Sequence, residues 1–233
     1  MDTTKQPVPM PPDRRTMALL LGAVGGCLDV FSHIQFSTLI ATQTGNIILI
    51  VADWDGPTVK TAYRILSLIF FTCGFVLGIL LKERAQSSHW RTWGVLPLTL
   101  TTFLFPFFHS HYFIWVILLA TSTGMVMLTY TGSKIESYPY MIMMTSGNYR
   151  RMVTAWYEYI RFKDRRHIIR RQAANYSMIV ASFIGGAIFT GFLTRFIHQY
   201  AIWTVTTILT IIIIHYTRYN HIHHLEQKIS NTQ

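Results

Sequence analysis

Charged residues are scarce, making up 13% of the 233 positions against ~25% in an average soluble domain. Because the chain is also 51% hydrophobic, a surface that faces water on every side is excluded. Acids are scarcer still, 10 against 20 basic residues, so a paired-carboxylate hydrolase has little to draw on. Cysteine is nearly absent. Cys27 and Cys73 both lie in apolar runs, which excludes a disulfide framework and a CxxC metal site. The chain has no G-x-S-x-G elbow, Walker loop, dinucleotide fingerprint or H-E-x-x-H pair. No cofactor, no metal and no enzymatic activity are therefore expected. The formal charge of +10 would point to nucleic acid in a soluble protein, but no nucleic-acid module accompanies it. In a membrane protein the same excess instead orients the chain.

What the sequence does have is long apolar runs. Residues 17–36, 61–81, 93–108, 112–131, 174–194 and 198–216 are each apolar enough to read as membrane-crossing helices. Residues 1–15 hold four prolines with Lys5, Arg14 and Arg15, and read as a disordered cytoplasmic tail. The basic flank of the first run imitates a secretory signal, but the run is too long and no A-x-A-like site follows it, so an uncleaved span is expected. Trp90, Trp93, Tyr112, Trp115 and Tyr200 fall near segment ends, where aromatic rings favour headgroup depth.

Two further segments, 38–52 and 139–160, are interrupted by Gly-Asn and resemble each other. The motifs IATQTGN and IMMTSGN end at Asn46 and Asn148, 102 positions apart, and Gly22 and Gly124 each precede their asparagine by 24 residues. Each half then continues with two more apolar runs. The expected architecture is an all-α polytopic membrane protein with six transmembrane helices and two broken or re-entrant Gly-Asn segments. Residues 16–109 form one membrane repeat and 110–217 the other, with a His-rich cytoplasmic tail over 218–233. Such internal symmetry marks transporter and channel folds. If the Gly-Asn segments crossed, Lys82, Arg84, Arg91, Lys134 and Arg195 would lie outside. If they do not cross, all but Lys60, Arg64 and Arg195 of the 20 basic residues face the cytoplasm. The second arrangement satisfies the positive-inside rule, puts both termini inside, and inverts one repeat relative to the other.

Asp29 stands near the middle of the first run. An acid there costs ~2.5–3.5 kcal/mol and ordinarily faces the protein interior or a water-filled cavity. It is read either as part of a solute or ion pathway or as a pin hydrogen-bonded to backbone. Thr44, Gly45 and Asn46, with Ser146, Gly147 and Asn148, complete the candidate pathway. Broken backbone at membrane depth is tolerated only where protein buries it or it lines a cavity; helix capping and tight packing are the alternative roles. Gly22-x-x-x-Gly26 and Gly74-x-x-x-Gly78 are small-residue stripes suited to close helix packing. Met141, Met143, Met144 and Met152 read as packing. Arg161, Lys163, Arg165, Arg166, Arg170 and Arg171 form a basic loop that should contact anionic lipid headgroups. His215, His221, His223 and His224 lack the partners of a metal site and read as an interfacial, solvated tail.

The stretch GAVGGCLDVFSHIQFSTLIATQTGNIILI, residues 22–50, resembles the signature of the YoaK family of bacterial integral membrane proteins. It shares the glycine-rich first span, the intramembrane acid and the Thr-Gly-Asn. The resemblance extends over residues 17–216 and implies a multi-pass inner-membrane protein, but no biochemical activity. What it carries over is Asp29, Thr44, Gly45 and Asn46. Where the family often shows Gly-x-Gln-Asn, this chain reads Gly124-Met125-Val126-Met127, and Ser146 stands where threonine is usual. The functional expectation is a transporter or channel for a small polar solute or ion, with a membrane scaffold or regulatory protein as the alternative. Oligomeric state is left open.

Overall fold

In lipid no water satisfies a free peptide group, so an apolar segment must close its hydrogen bonds within itself, and a helix does so. The computed structural model describes residues 15–54, 56–85, 90–108, 110–135, 138–162 and 166–230, with backbone alone for 166 and 220–230. Eight α-helices occupy most of them: α1 (Arg15–Phe36), α2 (Gln43–Ala52), α3 (Val59–Glu83), α4 (Trp90–Leu104), α5 (Tyr112–Thr129), α6 (Ser146–Arg161), α7 (Arg166–Ile197) and α8 (Trp203–Ser230). All six expected runs fall on helices, and the two Gly-Asn segments become the shorter α2 and α6. Four helical runs are long and apolar enough to cross a membrane: α1, α3, α5 and the continuous stretch His167–Tyr219, which holds most of α7 and α8. α4 is shorter, contains Pro97 and runs into a 3-10 turn at Phe105–Phe107. One departure from an all-helical chain is a two-residue antiparallel pairing of β1 (Lys134–Ile135) with β2 (Tyr138–Pro139). The N-terminal tail lies outside the described residues except for Arg15, which begins α1. α8 continues through the expected C-terminal tail to Ser230.

The core is apolar, as in a water-soluble bundle, but apolar side chains also cover the outside and several polar ones are enclosed. Ile65, Ile69 and Val76 on α3 and Ile184, Ile188 and Phe192 on α7 face outward, while Arg64, Ser67 and Thr102 are buried and hydrogen-bonded. Lipid solvates the first set at no cost, whereas polar groups must find partners inside.

Glycines set which helices touch. Gly22 meets Ile179 and Ser182, and Gly26 meets the backbone of Phe183 and Ala187, so α1 and α7 run side by side in the same direction. Gly74 abuts the backbone of Thr121, and Gly78 abuts Met125 and Leu128, so α3 and α5 do likewise. Cys27 Sγ donates to the Gly186 carbonyl at 3.4 Å across the first pair. Phe36, at the end of α1, packs edge-on against Tyr63 near the start of α3 and Tyr112 at the start of α5. Phe31 and Phe36 also meet Phe105, just past the end of α4. Gly94, near the start of α4, abuts Thr129 at the end of α5. Trp203 opens α8 with its Nε1 donating to the Phe103 carbonyl at 3.1 Å. The chain therefore leaves α1 and enters α3 at one end of the bundle, and leaves α5 and enters α7 at the other.

Candidate functional site

Two irregular segments, 37–42 before α2 and 140–145 before α6, penetrate the bundle and reach α1. Thr38, Ile40, Ala41 and Met143 are fully buried, so this non-helical backbone is enclosed by protein, as membrane depth requires.

Asp29 receives the first segment. Its Oδ1 accepts hydrogen bonds from the Ala41 N–H at 2.7 Å and the Thr42 N–H at 3.2 Å, and its Oδ2 accepts from the Thr42 hydroxyl. Thr42 gives α2 no side-chain cap of its own. The α1 carboxylate takes that role from a distance, placing negative charge at the end of α2 that favours it.

Asn46 holds the same segment from the α2 side. The Leu39 N–H donates to its Oδ1 at 2.8 Å and its Nδ2 donates back to the Leu39 carbonyl at 2.6 Å. Thr38 Oγ1 donates to Oδ1 at 3.0 Å, and Nδ2 reaches Gln43 Oε1 at 3.0 Å. Ser67 on α3 donates to the Leu39 carbonyl at 3.2 Å. The second copy repeats the core of this pattern. The Met141 N–H donates to Asn148 Oδ1 at 2.8 Å, and Asn148 Nδ2 donates to the carbonyls of Met141 at 2.6 Å and Met144 at 2.8 Å. In both copies a buried asparagine closes a two-point ring with the peptide groups of the residue seven positions earlier. The neighbouring glycines face that same residue, Gly45 the Leu39 side chain and Gly147 the Met141 side chain.

Gly25 receives the second segment. A Cβ there would stand 2.5 Å from the Met143 carbonyl oxygen, and only glycine permits this approach. Met143 itself has φ +55°, a left-handed conformation costing ~1–3 kcal/mol in a non-glycine residue and sustained only where packing dictates it. Gly25 and Asp29 are four residues apart, hence on one face of α1 and about one turn apart. Ala41 and Met143, the residues they meet, are again 102 positions apart.

Of the seven expected pathway residues, Asp29, Asn46 and Asn148 are buried and bonded to backbone, and Gly45 and Gly147 are partly buried close-approach positions. Thr44 and Ser146 point outward and do not join them. A cavity of about 460 Å³ beside the junction is walled by Val30, Ile34, Leu39 and Ile48, with Asp29 and Gly45 also lining it; neither asparagine does.

Sequence reasoning missed Arg64. Buried on α3, it donates from Nε to the Ser37 carbonyl at 2.9 Å, from Nη1 to the Leu49 carbonyl at 2.6 Å and from Nη2 to Asp53 Oδ2 at 2.7 Å. It clamps both ends of the α2 segment onto α3. In the second half the Pro139 carbonyl is held by Arg151 and by Tyr176 Oη at 2.9 Å. A basic residue inside an apolar run is the same signal that singled out Asp29, and it was available at Arg64.

In the basic loop, Arg161 stacks over Tyr157 and Phe162, and Arg170 and Arg171 are exposed at the start of α7. Lys163, Arg165 and the Arg166 side chain lie outside the described residues, as do the side chains of His221, His223 and His224. Met143 lies in the core, and Met144 and Met152 pack against it.

Residues 17–215 match a family model described as protein of unknown function, DUF1275. The chain is 20% identical over 198 residues to the UPF0700 transmembrane protein YoaK of Bacillus subtilis (strain 168), covering 82% of this chain and 88% of that protein. No solved structure matches.

Proposed function

The chain belongs to the DUF1275 family, and from this premise we propose that it is an inverted-repeat transporter or channel for a small polar solute or ion. It crosses a bacterial inner membrane six times with both termini in the cytoplasm. The observation that carries the reading is the meeting of the two broken segments on one face of α1, at Gly25 and Asp29, near the middle of that helix. One segment leaves and rejoins the bundle at the Phe36 end, the other at the opposite end. Paired discontinuous segments that converge at mid-depth from opposite sides are how secondary transporters build a substrate site. The alternating helix directions and the excess of basic residues on one side support six crossings. The same reading places the basic loop around Arg161, Arg170 and Arg171 against anionic headgroups at the cytoplasmic surface.

Asp29 is the switchable element of this site. Its carboxylate holds the first segment by three hydrogen bonds, so releasing or retaining Ala41 and Thr42 opens or closes the junction. The test is stopped-flow light scattering of proteoliposomes challenged with a panel of glycerol, urea, neutral amino acids and monovalent salts. At least one solute should re-swell them faster than protein-free liposomes, and Asp29→Asn should change that rate several-fold. Equal rates for every solute favour the second reading, a membrane scaffold or regulatory protein without transport. That reading draws on the full engagement of both asparagine side chains within their own segments.

A further inference from the structure

Arg195 is a basic residue on the side of the bundle that carries few, and neither the junction nor the basic loop accounts for it. It sits in the last turn of α7 and lines a groove of about 700 Å³ together with Gln35, Thr194 and His198. Among the described residues neither Arg195 nor His198 has an acidic partner. Ile34 lines this groove and also the apolar cavity walled by Val30, Leu39 and Ile48, so the two adjoin along α1. Their order follows the helix: the Arg195 guanidinium with Gln35 and His198 at its end, and mainly apolar walls, with His33 among them, deeper toward Asp29. That polarity matches a lipid standing in its leaflet, with headgroup at the helix ends and acyl chain toward the midplane.

We propose that this composite groove binds one anionic phospholipid, its phosphate held by Arg195 and His198 and one acyl chain lying between α1 and α2 beside Ile34 and Ile48. Charge complementarity selects the occupant, since a cation at headgroup depth without a protein acid favours an anionic lipid over a zwitterionic one. Although the apolar part of the groove shares Asp29 and Gly45 with the junction, the lipid assignment does not rest on solute movement, because its test reads lipid retention alone. Occupancy would place an acyl chain directly against Leu39 and Gly45, the two residues that pack together beside Asn46.

The test uses the full chain in detergent micelles with phosphatidylglycerol and phosphatidylcholine of identical acyl chains, read by native mass spectrometry. One phosphatidylglycerol should be retained in preference to phosphatidylcholine. Arg195→Gln with His198→Gln should lower that preference by about fivefold or more, the guanidinium supplying about fivefold and the imidazole a hydrogen bond, and Arg195→Lys should keep most of it. Ile48→Trp, which fills the tail groove, should reduce retention of both lipids. Equal retention of the two lipids by the wild-type chain, or an unchanged preference in the double variant, would overturn the assignment. Melting temperatures of the glutamine and lysine variants distinguish a lost site from a lost fold.

Discussion

An amide that binds both the N–H and the C=O of one residue is a structural group first. Removing Asn148 leaves the Met141 N–H and C=O without partners inside the membrane, whereas removing Asn46 orphans the Leu39 N–H but leaves the Leu39 carbonyl its bond from Ser67. Asn148→Ala should cost about 2–4 kcal/mol, as two buried groups are orphaned at ~1–3 kcal/mol apiece, and Asn46→Ala less, about 1–3 kcal/mol, because Ser67 still serves the Leu39 carbonyl; thermal unfolding in detergent would measure both. Asp29 behaves differently. Asparagine keeps an acceptor for the Ala41 and Thr42 N–H groups and offers a donor to the Thr42 hydroxyl, so Asp29→Asn should lose only about 1 kcal/mol, while Asp29→Ala should lose about 3. The near-isosteric variant therefore reports on activity and the alanine variant on fold. All three residues were legible in the sequence, because a polar group inside an apolar run is conspicuous. Their partners were not, since a bond to backbone seven or twelve residues away depends on a loop path that no composition records. Thr44 and Ser146 are candidates as hydroxyls beside the glycines, and Thr44 also through the family resemblance, but the helix turns them outward.

At the level of elements, the glycine stripes decide which helices touch, and most of this was legible. Gly22, Gly26, Gly74 and Gly78 read as packing faces and are packing faces. Their partners, α7 and α5, were hidden by separations of roughly fifty residues and more. A Cβ on Gly26 or Gly74 would strike the backbone of Phe183 or Thr121, whereas one on Gly185 meets nothing within 4 Å. Gly26→Ala and Gly74→Ala should each lower stability by about 1–3 kcal/mol as helices are forced apart. Gly185→Ala should be neutral or gain up to about 1 kcal/mol from helix propensity. The three melting temperatures, measured side by side, test the close approaches directly. The shortness of α2 and α6 was likewise visible in their Gly-Asn interruptions. The α2 clamp is not legible in the sequence, because charge arithmetic treats Arg64 as an outside charge, whereas its guanidinium bonds Ser37 before α2, Leu49 within it and Asp53 after it.

For the whole molecule, orientation is the property the charge distribution speaks to. With Cys27 and Cys73 replaced by alanine, single cysteines at the exposed positions Pro57 and Glu83 should react with a membrane-impermeant maleimide from opposite sides. Position 57 should react in intact cells and position 83 only after permeabilisation. Labelling of both from outside would refute six crossings. The reciprocal packing of α1 on α7 and α3 on α5 has a consequence for how the chain is made. During synthesis α1 finds its main partner only when α7 arrives, with about 130 residues between them, and α3 must wait for α5. Until then the glycine face of α1 stands in lipid without its final neighbour, while Asp29 already has Ala41 and Thr42. Neither half supplies its own first helix with a third to pack on. A chain severed between α4 and α5 should therefore yield two fragments that are unstable apart and co-purify when expressed together, each completing the other.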